Sequence, residues 1–172
     1  MIPDAYYKDI YSIDYSNLKK IGIKNLFFDI DNTLMTYQDE YPSDRVKTFV
    51  KKLKDNGFNV SLISNARYKR VSKIAKHLDI EEFYHLSLKP FKKNYKKILK
   101  KHNIDDSIFI GDQFTTDLIG AKRNSFKFIF VDRMNEIEPL NTRLLRLYEK
   151  KLMKKYKKEN LFEKYKYYDK LK

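Results

Sequence analysis

From residue 23 to residue 131, short apolar bursts alternate with longer lysine-rich amphipathic runs, and this alternation is the tightest constraint the chain carries. Residues 23–29, 58–64, 83–88, 107–111 and 126–131 read as strands, each too short for a helix and rich in Phe, Ile, Leu and Val. Residues 43–56, 67–78, 90–102 and 115–123 read as helices. The clearest of these has Ser43 as N-cap, Val46, Val50 and Leu53 on one face, and Gly57 just past its end. Pro90 is placed in the first turn of the third helix. Strands that alternate with helices imply right-handed crossovers. The expected fold is therefore α/β, a doubly wound, mostly parallel five-stranded sheet.

Sites in such sheets lie at the carboxyl ends of the strands. There the chain places Asp29 and Asp31, then Ser64 and Asn65, then Lys89, then Asp112. Clustered carboxylates repel one another and need a cation to coexist at neutral pH. Hard oxygen ligands with no soft partners suit Mg²⁺. Ser64 and Lys89 can cradle a phosphate, and a carboxylate can attack phosphorus to form an aspartyl-phosphate. The residues thus describe a magnesium-dependent phosphotransferase.

Composition removes the competitors. The chain has no cysteine, so disulfides, thiolate nucleophiles and zinc–thiolate sites are excluded. Its three histidines (His77, His85, His102) are too far apart for a short zinc motif. Its four glycines fit neither a P-loop nor a dinucleotide fingerprint.

Asp29-Ile30-Asp31-Asn32-Thr33 resembles the D-x-D-x-T signature of the haloacid dehalogenase superfamily. Ser64-Asn65 resembles its second motif, Lys89-Pro90 its third, and Gly111-Asp112 through Thr116-Asp117 its acidic fourth. The resemblance implies a nucleophile at Asp29 and a general acid and base at Asp31. It implies that Thr33 orients the first loop, and that Ser64 and Lys89 bind the phosphoryl oxygens. Asn65 either contacts substrate or shapes its turn. Asp29, the backbone carbonyl of Asp31, and Asp112 would hold Mg²⁺, with Asp117 positioning Lys89 or a water. The second aspartate of the first motif favours phosphate-ester hydrolysis.

Too few residues separate these motifs for a cap. An open site suits a bulky substrate that covers it, or an oligomer whose neighbour does. The capless layout, GDQFTTD and SNAR resemble the subclass IIIA phosphatases of the YqeG type, which are related to mitochondrial phosphatidylglycerophosphate phosphatases. One domain is expected, with an amphipathic opening segment (1–20), a catalytic core (21–136) and a basic helical tail (137–172).

The formal charge is +14, and residues 143–172 carry twelve Lys/Arg against four Asp/Glu. In that tail Leu140, Leu144, Tyr148, Leu152 and Tyr156 recur every fourth residue, with Leu145 and Leu147 beside them. The stripe is either core or an interfacial surface for an anionic membrane. A phosphorylated lipid headgroup is the expected substrate, and phosphorylated nucleic-acid ends or simple nucleic-acid binding are the rivals. No run is long enough to cross a bilayer, so a cytoplasmic protein, peripheral on the inner membrane face, is expected.

Overall fold

A computed structural model describes the whole chain except positions 88, 91, 92, 138 and 139 and the side chains at 93, 140 and 141. In chain order it contains β1 (Ala5–Tyr7), a 3₁₀ turn, α1 (Tyr15–Lys20), β2 (Asn25–Phe28), α2 (Asp44–Asp55), β3 (Asn59–Ile63), α3 (Tyr68–His77) and β4 (Phe83–Tyr84). There follow α4 (Lys93–Leu99), β5 (Ser107–Gly111), a π-helical turn (Phe114–Leu118), α5 (Ile119–Arg123), β6 (Lys127–Val131), α6 (Leu140–Lys158) and β7 (Tyr168–Asp169).

The sheet has seven strands rather than five, in the order β4-β3-β2-β5-β6-β1-β7. Both additions come from the chain ends. β1 pairs parallel with β6, and β7 pairs antiparallel with β1. Strands of three and two residues are too short to show a period of two, which is why the sequence hides them. Three further expectations change. Pro90 lies in a turn ahead of α4 instead of in its first turn, after a cis Lys89–Pro90 bond. The fourth helix opens with the π turn at Phe114. The third strand stops at Tyr84; its expected end, Leu88, lies outside the described residues, as do positions 91 and 92 of the third helix.

Alternating side chains give the sheet two unlike faces. Leu26, Phe28, Ile108, Ile110, Ile129 and Val131 join a mainly aliphatic core with α2 and α3 residues such as Val46, Val50, Val71 and Ile74. Phe27, Phe109, Phe128 and Phe130 enter an aromatic core with Tyr95, Phe114 and Phe126, in which Phe27 and Phe109 stack at 4.8 Å. Ser43 caps α2 as expected, its Oγ accepting from the Val46 amide at 3.4 Å.

Register sets the rim. Phe28 pairs with both Leu62 and Ile110, so Asp29, one residue on, and Ser64 and Asp112, two residues on, emerge close together from the carboxyl ends of β2, β3 and β5.

Candidate active site

Asp29 leaves the central strand buried, with its amide bonded to the Ile110 carbonyl at 2.9 Å. The chain then turns tightly. Leu34 and Met35 amides return to the Ile30 carbonyl, and Asn32 adopts a left-handed backbone (φ 66°). Asparagine tolerates that conformation better than most residues. The turn buries Thr33, whose Oγ1 reaches Asp112 Oδ1 at 3.5 Å.

Lys89 is the hub. Its side chain is 3% exposed; its ammonium pairs with Asp29, lies 2.6 Å from Asp117 Oδ1 and donates to the Ile63 carbonyl at 3.1 Å. Burial opposes the charge on Lys89, but Asp117 and Asp29 outweigh it and hold the amine's pKa above its usual value. Asn65 Oδ1 accepts from the Lys89 amide at 2.8 Å, so this residue locks the second motif to the third. Ser64 is buried with its Oγ accepting from the Ala66 amide at 3.0 Å.

Asp112 and Asp117 complete the floor. Gly111 makes their approach possible, because a Cβ there would lie 2.8 Å from Asp117 Oδ2. Burial pushes Asp112 up to about 7, with Arg146 opposing the rise and Asp117 adding to it. Burial likewise raises Asp29 well above the carboxylate range, against the pull of Lys89 and with the push of Asp117, Asp112 and Asp31. Oxygens of Asp29, Asp112 and Asp117 lie within 4.8 Å of one another. Three buried carboxylates so close together, each offering hard oxygen, form a donor set that fits Mg²⁺. Asp31 gives no side-chain oxygen to the trio, and the sequence reading assigns it only its backbone carbonyl. Its carboxylate turns instead to Arg70, with Oδ1 2.7 Å from Nη2.

Every residue singled out in the sequence therefore stands at one rim: Asp29, Asp31, Ser64, Asn65, Lys89 and Asp112 line a cleft of about 640 Å³, with Thr33 and Asp117 buried beside it. The arginines were missed. Arg67, Arg70 and Arg146 line the same cleft. Arg146, from α6, pairs with the Asp112 carboxylate and donates to the Asp112 carbonyl and to Glu149 Oε2, each at 2.9 Å. Glu149 is 3% exposed, and its Oε1 accepts from the Thr115 amide at 2.8 Å. A signal existed, since Glu149 is the one acid among the eight basic residues of 143–158.

Comparison with known proteins agrees with this geometry. Over 160 residues the chain is 28% identical to "Probable phosphatase YqeG" of Bacillus subtilis, with 92% of each chain covered. It is 25% identical to phosphatidylglycerophosphate phosphatase 1 of Arabidopsis thaliana over 94% of its own length, and spans about half (49%) of that protein. Among solved structures, the cobalt-bound deoxy-D-mannose-octulosonate 8-phosphate phosphatase of Haemophilus influenzae has the same fold. The TM-score is 0.52 at 16% identity, with 68% of this chain and 81% of that one covered. The sequence pattern of the haloacid dehalogenase-like hydrolases matches residues 35–124, which run from just beyond the Asp29–Thr33 turn through Asp117. With half the chain under that pattern and the acidic rim in its place, the protein belongs to the haloacid dehalogenase-like hydrolases.

Proposed function

We propose that this chain is a phosphomonoester hydrolase working through an aspartyl-phosphate on Asp29, and that its substrate is phosphatidylglycerophosphate presented at an anionic membrane face. The observation that carries the reaction is the buried Lys89, paired at once with Asp29 and Asp117. A lysine held charged there neutralises a phosphoryl group placed against Asp29. Asp29, the Asp31 carbonyl and Asp112 would hold Mg²⁺, which when bound screens the substrate's charge from these carboxylates. Asp29 attacks phosphorus, and the leaving alcohol takes a proton from Asp31. Water then attacks the acyl-phosphate while Asp31 takes the water's proton, freeing inorganic phosphate and restoring Asp29.

This division of labour gives a test. Asp31→Asn should lose hydrolysis of poor leaving groups almost entirely, yet still accept phosphate from p-nitrophenyl phosphate, whose leaving group needs no acid. Mass spectrometry should then find phosphate accumulated on Asp29. Equal losses on good and poor leaving groups with no adduct would contradict the assignment.

The substrate reading is supported by the Arabidopsis relative and by α6. Met153 and Tyr156 pack on the aromatic core, and Tyr156 lies 5.7 Å from Phe114. The first half of the helix does the opposite. Leu144 is 67% exposed, Leu147 and Tyr148 are 56% exposed, and Arg146 and Glu149 take the inward positions. Leu140 falls outside the described side chains. An exposed leucine–tyrosine stripe flanked by Lys150, Lys151, Lys154 and Lys155 suits a negatively charged lipid surface. Among the described residues no helix is long and apolar enough to cross a membrane.

Each lysine near such a surface contributes about 1 kcal/mol. Reversing all four to Glu should lower activity on phosphatidylglycerophosphate liposomes by well over tenfold, while hydrolysis of a soluble aryl phosphate changes little. Parallel loss on both would make α6 purely structural. An unchanged liposome rate, or tighter retention by RNA than by anionic vesicles across a salt series, would remove the membrane reading.

A further inference from the structure

Among the ionisable groups lining the catalytic cleft, each carboxylate is paired with a cation. Asp29 pairs with Lys89, Asp31 with Arg70 and Asp112 with Arg146. One cation is left over. Arg67 lines the cleft, is exposed and makes no ion pair among the described residues. It is the N-cap of α3, and Arg70 lies in the first turn of that helix, so the entry to α3 brings both arginines to the cleft.

Arg70 also has capacity to spare. Its Nη2 bonds to Asp31 and to the Tyr37 carbonyl at 3.4 Å, Nη1 donates to the Asp39 carbonyl at 3.2 Å, and its Nε is buried with no partner among the described residues. A buried donor left unpaired costs free energy, and it is repaid when an acceptor arrives. Place matters as much as charge. Asp31 is the proton donor to the departing alcohol, so a residue bonded directly to its carboxylate stands on the leaving-group side of the cleft. An anion met by Arg67 and Arg70 therefore belongs to the alcohol rather than to the phosphoryl group being transferred.

We infer that Arg67 and Arg70 form a second anion site that selects phosphomonoesters whose alcohol carries another negative group, a phosphodiester or a carboxylate, a few bonds from the ester oxygen. Planar guanidinium groups suit both, because each presents paired oxygens. The inference rests on the phosphatase reading and on Asp31 as proton donor, and it narrows the substrate to a class with two anions. A diester-bearing lipid headgroup belongs to that class, and so does a free phosphorylated hydroxy acid.

Three soluble esters separate the possibilities: glycerol 3-phosphate with one anionic group, 3-phosphoglycerate with an added carboxylate, and glycerophosphoglycerol phosphate, the deacylated headgroup, with an added diester. The wild-type protein should favour at least one two-anion ester by about tenfold or more in kcat/KM. Preference for the diester alone assigns the site to a headgroup, and preference for the carboxylate assigns it to a hydroxy acid. Arg67→Gln should remove most of that preference through KM. Arg67→Lys should keep part of it, which a merely structural arginine would not do. Arg67 is the cleaner variant because Arg70 also holds Asp31.

Equal kcat/KM on all three esters, or an equal loss on all three in Arg67→Gln, overturns the site. Binding of the same compounds to Asp29→Asn protein, measured by calorimetry, gives a readout that needs no turnover. Tighter binding of a two-anion ester without hydrolysis by the wild type would leave the anion site standing and end the phosphatase reading. Equal binding of all three would end the anion site.

Discussion

Asp29→Asn protein should fold normally and turn over at least ~10³-fold more slowly than wild type on every phosphomonoester, a loss of several kcal/mol in barrier terms. The amide keeps the shape of the carboxylate but cannot attack phosphorus. Its effect on stability should run the other way. Burial and three neighbouring carboxylates press against the charge on Asp29, so a neutral isostere relieves the strain of the site. Without metal the variant should melt at the wild-type temperature or above it. Such opposition between stability and activity marks a residue kept for chemistry rather than for packing. Turnover near the wild-type rate would remove Asp29 as nucleophile, and a large drop in melting temperature would show that it holds the fold as well.

Lys89→Met should be damaging in both respects. The ammonium is almost wholly buried between Asp29 and Asp117, and methionine fills much of its space without its charge. Breaking a buried pair by removing one partner leaves an uncompensated charge and costs about 3–5 kcal/mol. For a domain of this size, that corresponds to a fall in melting temperature of roughly 10 °C. Millimolar Mg²⁺ should restore part of the loss, since a bound cation supplies the missing charge to the same carboxylates. Catalysis should stay low even then, because the phosphoryl group has lost its lysine. Thermal melts with and without Mg²⁺ check both halves. A melting temperature within a degree or two of wild type would mean that the carboxylates do not depend on Lys89.

Much of this site is legible in the sequence because strand ends are local features. The burst that forms β2 stops at Asp29, the one that forms β5 stops at Asp112, and parallel register does the rest. The turn from Ile30 to Met35 is equally local, with an asparagine where a left-handed residue is needed. What escaped notice depends on distance along the chain. Arg146 reaches Asp112 across 34 residues and Arg70 reaches Asp31 across 39, and no periodicity records such pairs. Asn65 stands at the cleft as a turn or substrate contact would, and its further bond to the Lys89 amide 24 residues later has no local signal. The stripe on α6 leaves two readings open for another reason. Leucine spacing suggests which residues share a face but not which face turns inward, and here Arg146 and Glu149 won the inner side because Asp112 and the Thr115 amide needed partners.

The helix that carries Arg146 is anchored at both ends. The segment before it is tied to the catalytic turn, the Met134 amide donating to the Asn32 carbonyl at 3.1 Å and the Asn135 amide to Asn32 Oδ1 at 3.2 Å. The segment after it returns to the sheet as β7. In mechanical terms α6 is a span between two ties, and Arg146 seats its inner face on Asp112 while Leu144, Leu147 and Tyr148 stand on the outer one.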